Sequence, residues 1–173
     1  MFRHPGLWLA TAFLIAPALL GGQGFSGFLE SSAPPLPKTY AEFDRYTAQS
    51  GETVTLTVRV FPATGWYLYS ITVSPDDGPE PTKLITKTLV HVATGVLEES
   101  PPEWVEDEAF GTRLAVHREP FVLTQRFRIV EEAESGPQDW EGELHFQSCD
   151  QRICAPLQTL RLTAPLEIQQ PEG

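Results

Sequence analysis

The sequence predicts an all-β fold, a sandwich of short strands, and three observations carry that prediction. Apolar and polar residues alternate with a period of two in several segments, the signature of strands with one buried face. Sixteen prolines and thirteen glycines cut the chain into short pieces, as at Ser74-Pro75-Asp76-Asp77-Gly78-Pro79. No window carries a 3.6-residue apolar stripe of helical length. Seven or eight strands with turn signals between them fit an immunoglobulin-like β-sandwich, without the Cys…Trp…Cys spacing of antibody domains.

The elements follow in order. Val54, Leu56, Val58 and Val60 alternate with Thr53, Thr55, Thr57 and Arg59. Leu123, Gln125, Phe127 and Ile129 alternate with Thr124, Arg126, Arg128 and Val130. Leu144, Phe146 and Ser148 alternate with Glu143, His145, Gln147 and Cys149, and Leu160 and Leu162 with Thr159, Arg161 and Thr163. Less regular strands are expected over 66–73, 83–92 and 113–118. Trp104 and Trp140 read as core or packing residues, and the acidic stretch 98–108 as a solvated loop.

The N-terminus reads as an export signal over residues 1–24, or as an uncleaved anchor. Arg3 and His4 precede an uncharged run from Leu7 to Leu20, and Gly22-Gln23-Gly24 offers small residues for cleavage. The 14-residue run is shorter than the roughly 17 residues that span a bilayer. Residues 25–38, rich in Gly, Ser and Pro, read as a linker, 39–168 as one domain and 169–173 as a tail. Losing the signal removes only Arg3 from the charge count, leaving 11 basic against 23 acidic residues, or −12. That surface repels phosphate backbones, so no nucleic-acid partner is expected.

Two cysteines, Cys149 and Cys154, are the only ones in the chain. With 146–149 on one strand and Cys154 opening the next, residues 150–153 form a hairpin loop. Facing residues of an antiparallel pair lie roughly 4.5 to 5.5 Å apart, which a disulfide accommodates. Closing so small a loop contributes about 2 kcal/mol, against nearly 5 for a loop of about 100 residues. An inert staple, a redox-active pair and a soft-metal site with His145 all remain open on these residues alone. His91, His117 and His145 show no catalytic arrangement, and Ser148 lacks recognisable histidine and carboxylate partners.

Three segments carry a family resemblance. They are the aromatic strand Gly65-Trp66-Tyr67-Leu68-Tyr69-Ser70, the acidic-aromatic loop Glu106-Asp107-Glu108-Ala109-Phe110-Gly111, and the hairpin Phe146-Gln147-Ser148-Cys149 with Cys154-Ala155-Pro156. In these the chain resembles, from about Tyr40 to Leu166, the N-terminal periplasmic domain of the thiol:disulfide interchange protein DsbD, a module also found alone. The resemblance implies a sandwich with a redox hairpin and a cap loop. It implies electron transfer from a membrane-embedded thiol protein to thioredoxin-like periplasmic partners, such as disulfide isomerases and cytochrome c maturation factors. No cofactor and no small-molecule substrate are expected.

Carried onto this chain, the resemblance makes Cys149 and Cys154 the exchanging pair, Cys154 linking to the partner and Cys149 resolving the mixed disulfide. Phe110 becomes the cap aromatic over the sulfurs, flanked by Asp107 and Glu108, with Tyr67 and Tyr69 lining the site. Ala109 stands where the family often has a second bulky aromatic, and the cysteines are one residue closer than in well-known members. Asp150, Asp107 and Glu108 disfavour a thiolate, which Arg152 only partly offsets. The rival reading is a binding or structural sandwich with an inert hairpin disulfide.

Overall fold

The computed structural model describes residues 33–170 except Ala109, Gln151 and the side chain of Asp77. The expected signal over 1–24, most of the expected linker and the end of the tail lie outside the described residues. The described chain contains β1 (Lys38–Phe43), β2 (Thr47–Gln49), β3 (Thr53–Phe61), β4 (Tyr67–Tyr69), β5 (Lys83–Thr86), β6 (His91–Glu99) and β7 (Glu103–Asp107). It continues with β8 (Thr112–His117), β9 (Phe121–Ile129), β10 (Gly136–Pro137), β11 (Trp140–Phe146), β12 (Ser148–Cys149), β13 (Gln158–Ala164) and β14 (Glu167–Gln169). Helical structure among the described residues is limited to a 3-10 turn over Pro75–Asp77.

The fold is an immunoglobulin-like β-sandwich. One layer is the antiparallel sheet β1-β3-β9-β6, and its facing layer is β13-β11-β5. Their inward side chains form a single apolar cluster: Val54, Leu56, Val58 and Val60 from β3, Leu123, Phe127 and Ile129 from β9, Trp140, Leu144 and Phe146 from β11. The period-two alternation places these residues, because every second side chain of a strand points to the same face. Burying each large apolar side chain contributes roughly 1.5–3 kcal/mol. Gly142 makes room for the fully buried Trp140, since a Cβ there would overlap the indole. Gln125 occupies an inward position too, and its amide donates to the Thr94 and Arg126 carbonyls at 3.0 and 3.1 Å.

Three expected strands differ from the observed ones, and two of the differences mark a change of sheet. The run 83–92 splits, because β5 pairs with β11 and β6 with β9. The crossing is fixed by Lys87 N–H donating to the Glu141 carbonyl at 2.8 Å and Glu141 N–H donating to the Thr88 hydroxyl at 2.8 Å. The run 143–149 breaks at Gln147, where the chain leaves β13 and β5 and pairs with β4 as β12. The run 66–73 shrinks to β4, after which Ser70 and Thr72 form a hydroxyl-bonded turn. The stretch 98–108 is not a loop either, because it holds the end of β6 and all of β7.

Besides the small sheet β10-β14-β2, a further sheet, β12-β4-β8-β7, carries a second buried cluster of Tyr67, Tyr69, Val73, Leu114, Ala115, Val116 and Cys149. Leu68 points the other way, into the sandwich core. All three residues of β4 are therefore buried, and no alternation shows in the sequence.

Candidate thiol–disulfide site

Cys149 ends β12 and forms an isolated antiparallel bridge with Cys154, as the hairpin spacing predicts. The two sulfurs are bonded at 2.07 Å and the Cα atoms lie 4.1 Å apart. Asp150 organises the loop between them. Its carboxylate accepts the Ile153 and Arg152 backbone N–H groups at 2.8 and 2.6 Å, and these bonds hold its carboxyl below the usual carboxylate range. Below the pair, Ala155 N–H donates to the Ser148 carbonyl at 2.8 Å. Gln147, at the sheet change, accepts the Glu80 N–H and donates to the Ala155 carbonyl. Cys149 is fully buried, whereas Cys154 is half-buried and lines an open cleft.

Tyr67 and Tyr69 project from β4 on the cysteine side. The Tyr69 hydroxyl oxygen lies 3.2 Å from Cys149 Sγ and 4.0 Å from Cys154 Sγ. Both phenols donate to Asp107 Oδ2, at 3.0 Å from Tyr67 and 2.7 Å from Tyr69. Burial first, then the bond to Asp107, pushes the Tyr69 phenol far above its ordinary range. Burial likewise raises Tyr67, where the Tyr69 hydrogen bond opposes the rise and Asp107 adds to it. Both therefore stay neutral, and the Tyr69 proton is committed to Asp107.

Asp107 also shapes the cap. Its Oδ1 accepts the Phe110 N–H at 3.4 Å, and its carbonyl accepts the Gly111 N–H at 2.8 Å. Phe110 meets Tyr69 edge-on at 6.0 Å and packs with the cluster that holds both cysteines. Gly78 seats that ring: its φ is +113° and a Cβ there would overlap Phe110. No sequence pattern marks this contact, since Gly78 reads only as a turn residue. Ala109 lies outside the described residues.

An open cleft of about 520 Å³ runs past Cys154, lined by Tyr67, Val105, Glu108, Arg118 and Arg152 among others. Arg118 stacks over the Tyr67 ring at 5.0 Å and pairs with Glu103 at 2.6 Å. The structure thus gathers Cys149, Cys154, Tyr67, Tyr69, Asp107 and Phe110 in one place, with Glu108 exposed on the cleft wall.

Sequence reasoning missed a second polar group beside the site. Glu99, at the end of β6, accepts His117 Nε2 at 2.8 Å and the Ile71 N–H at 3.1 Å, and its other oxygen accepts the Ser70 hydroxyl. Burial raises the Glu99 carboxyl, but these three donors outweigh it and hold it below the usual range. The residues are distant in sequence, so only the fold brings them together. The arrangement is no hydrolytic triad, because serine and histidine both bind the carboxylate and are themselves buried.

The remaining candidates resolve plainly. His145 pairs with Glu143 at 2.9 Å, and the break at Gln147 ends the alternation that put it on the Cys149 face. Among the described residues no group of three or more His, Cys, Asp or Glu is placed to hold a metal. Trp140 is core as expected. Trp104 is not: it is 57% exposed, with the Arg113 guanidinium 5.7 Å from its ring.

The chain matches the family model described as thiol:disulfide interchange protein DsbD, N-terminal, over residues 33–165. No curated protein matches it. Among solved structures it is similar to the seventh ScaB type I cohesin of Pseudobacteroides cellulosolvens, with 8% identity and a TM-score of 0.37 over 78% of this chain and 94% of that one. The pilin subunit BcpA of Bacillus cereus gives 11% and 0.42 over 76% and 39%. A PapD-like domain of human CEP192 gives 12% and 0.36 over 96% and 100%. These structural likenesses are too distant to bear on function.

Proposed function

Because the chain belongs to the family of the DsbD N-terminal domain, we propose that it is an extracytoplasmic thiol–disulfide exchange module working through Cys149 and Cys154. The observation that carries this reading is the asymmetry of the pair: a partly buried Cys154 on the wall of an open cleft, bonded to a fully buried Cys149. An inert staple needs no such exposure and no phenol beside its sulfur.

In the exchange, the Cys154 thiolate of the reduced domain attacks a partner disulfide. A Cys154–partner bond forms and the partner's own disulfide breaks. Cys149 then attacks Cys154, re-forming the Cys149–Cys154 bond and releasing the partner with both electrons as a dithiol. As Cys149 attacks, its proton passes to the Tyr69 oxygen while the Tyr69 proton passes to the Asp107 carboxylate, so the phenol stays neutral. Phe110 covers the pair between encounters. A membrane-embedded thiol protein re-reduces the domain, and thioredoxin-like periplasmic proteins, cytochrome c maturation factors among them, receive the electrons. The N-terminal segment directs export to the periplasm, cleaved or retained as an anchor.

Equilibration of the domain in glutathione buffers tests the reading. A midpoint between about −120 and −270 mV supports exchange, whereas one below about −300 mV marks a structural bond and sinks it. A Cys149→Ala variant is expected to trap its partner as a mixed disulfide through Cys154.

A further inference from the structure

We propose that Glu99 is a positioning residue for the cysteine pair, clamping the end of β4 to the end of β8 and so setting where the Tyr69 hydroxyl stands against Cys149. The inference rests on the exchange reading above and names a residue outside the cysteine cleft. Glu99 belongs to β6, a strand of the sandwich, while both elements it grips belong to the cysteine sheet. Its side chain is 6% exposed and that of its partner His117 4%.

A buried carboxylate loses its hydration, and only bonds of good geometry compensate that cost. An apolar side chain would serve packing alone at lower cost. Three donors converge on this one instead: the Ser70 hydroxyl and Ile71 N–H from the residues after β4, and His117 from the last position of β8. In the ladder His117 faces Leu68, between the two tyrosines, and Ser70 directly follows Tyr69. Tyr69 is held further by Thr82, whose hydroxyl donates to its carbonyl, while Ser70 N–H donates to the Ala115 carbonyl at 3.0 Å. The backbone of Tyr69 is therefore fixed on the Glu99 side, and its hydroxyl is aimed by Asp107.

That aim matters because it differs between the redox states. The Tyr69 proton goes to Asp107, so lone pairs of its oxygen face Cys149 Sγ at 3.2 Å. A disulfide sulfur carries no proton to give them. In the reduced domain the Cys149 thiol donates to that oxygen, a bond that exists only in the dithiol. Glu99 thus favours the reduced form through Tyr69, in the equilibrium where two glutathione thiols and the Cys149–Cys154 disulfide give the dithiol and oxidised glutathione.

The test is that equilibrium constant for four proteins: wild type, Glu99→Gln, Tyr69→Phe and the double variant. Tyr69→Phe is expected to shift it about three- to tenfold toward the disulfide, the size of one net hydrogen bond. Glu99→Gln shifts it in the same direction by about threefold. The double variant falls close to Tyr69→Phe alone, because both changes remove the same contact. Glu99→Asp, which keeps the charge, recovers part of the shift. Should Glu99→Gln not fold, Ser70→Ala removes one donor from the clamp and is read the same way. An equilibrium constant unchanged by the Glu99 and Ser70 variants, or shifts that add in the double variant, overturns the proposal. A wild-type midpoint in the structural range instead overturns the exchange reading, so the two failures are distinct.

Discussion

The sandwich core and the cysteine sheet lie side by side and are built from different materials. In the core, β3, β9, β11 and β13 contribute almost entirely aliphatic and aromatic side chains. In the cysteine sheet the buried set includes Asp107, His117, Ser70, Ser148 and two phenols, nearly all bonded to groups far along the chain. Apolar contacts are non-directional and roughly proportional to area, so the core can stabilise the fold without regard to redox state. The polar contacts are directional, and through the Tyr69 hydroxyl they meet Cys149 Sγ at 3.2 Å, so they can tell a dithiol from a disulfide. Core changes should therefore move stability and leave the midpoint alone, while changes in the cysteine sheet should move the midpoint more than the stability.

The largest effect is expected from Trp140→Ala. Removing a fully buried indole should cost about 3–5 kcal/mol in urea unfolding, in the oxidised and reduced proteins alike. A different loss in the two redox states would show that the apolar core senses the disulfide.

Next comes a polar intruder in the core. His91 is buried against Phe43, with ring centroids 5.5 Å apart, and neither ring nitrogen meets a polar partner among the described residues. Burial pushes its pKa down to about 4, with the charge of Asp139 opposing. The unfolded chain takes up this proton near pH 6.5. Between those values the unfolded state binds more protons, so stability falls as pH drops from about 6.5 to about 4. The loss should be on the order of 2 kcal/mol, and His91→Phe should flatten it. The carboxylate of Glu99 acts lower, because its depressed pKa makes its contribution fade only below the ordinary carboxylate value. A His91→Phe protein that keeps the wild-type slope above pH 4.5 would refute this assignment.

The same division explains which parts of the fold are legible in the sequence. Val54 to Val60 and Leu123 to Ile129 announce their buried face because alternation is a local property of the chain. The hairpin that sets Cys149 opposite Cys154 is equally legible from their spacing, although the spacing alone leaves a disulfide and a metal site both open. Glu99, Ser70 and His117 were not, because no local rule links a strand end to a residue 29 positions away. Gly78 looked like any turn glycine, although the ring it seats comes from the cap. Tyr67 and Tyr69 were placed by family resemblance, and β4, buried on both faces, shows no alternation.

The cap provides a smaller effect that sharpens the contrast. Phe110 is half-buried, so Phe110→Ala should cost little stability. Without its cover, reduction of the disulfide by dithiothreitol should quicken about tenfold, which equals roughly 1.4 kcal/mol of barrier. Gly78→Val should do the same, because its side chain would occupy the seat of the ring. Stopped-flow reduction that is no faster in either variant would show that Phe110 shields nothing.

The smallest effect is expected at Trp104. Sequence composition puts an indole in the core, and Trp140 obeys. Trp104 lies on β7 of the cysteine sheet with more than half its surface in solvent, its ring near Arg113. With so much of the ring in solvent, Trp104→Ser should change stability by less than about 1 kcal/mol and leave the glutathione midpoint in place. Paired with Trp140→Ala, it asks whether burial alone, at constant residue type, decides the stability cost. A loss above about 2 kcal/mol at Trp104 would mean that β7 is anchored through its outer face. The cap hairpin would then depend on that face rather than on Asp107 and the two tyrosines beneath it.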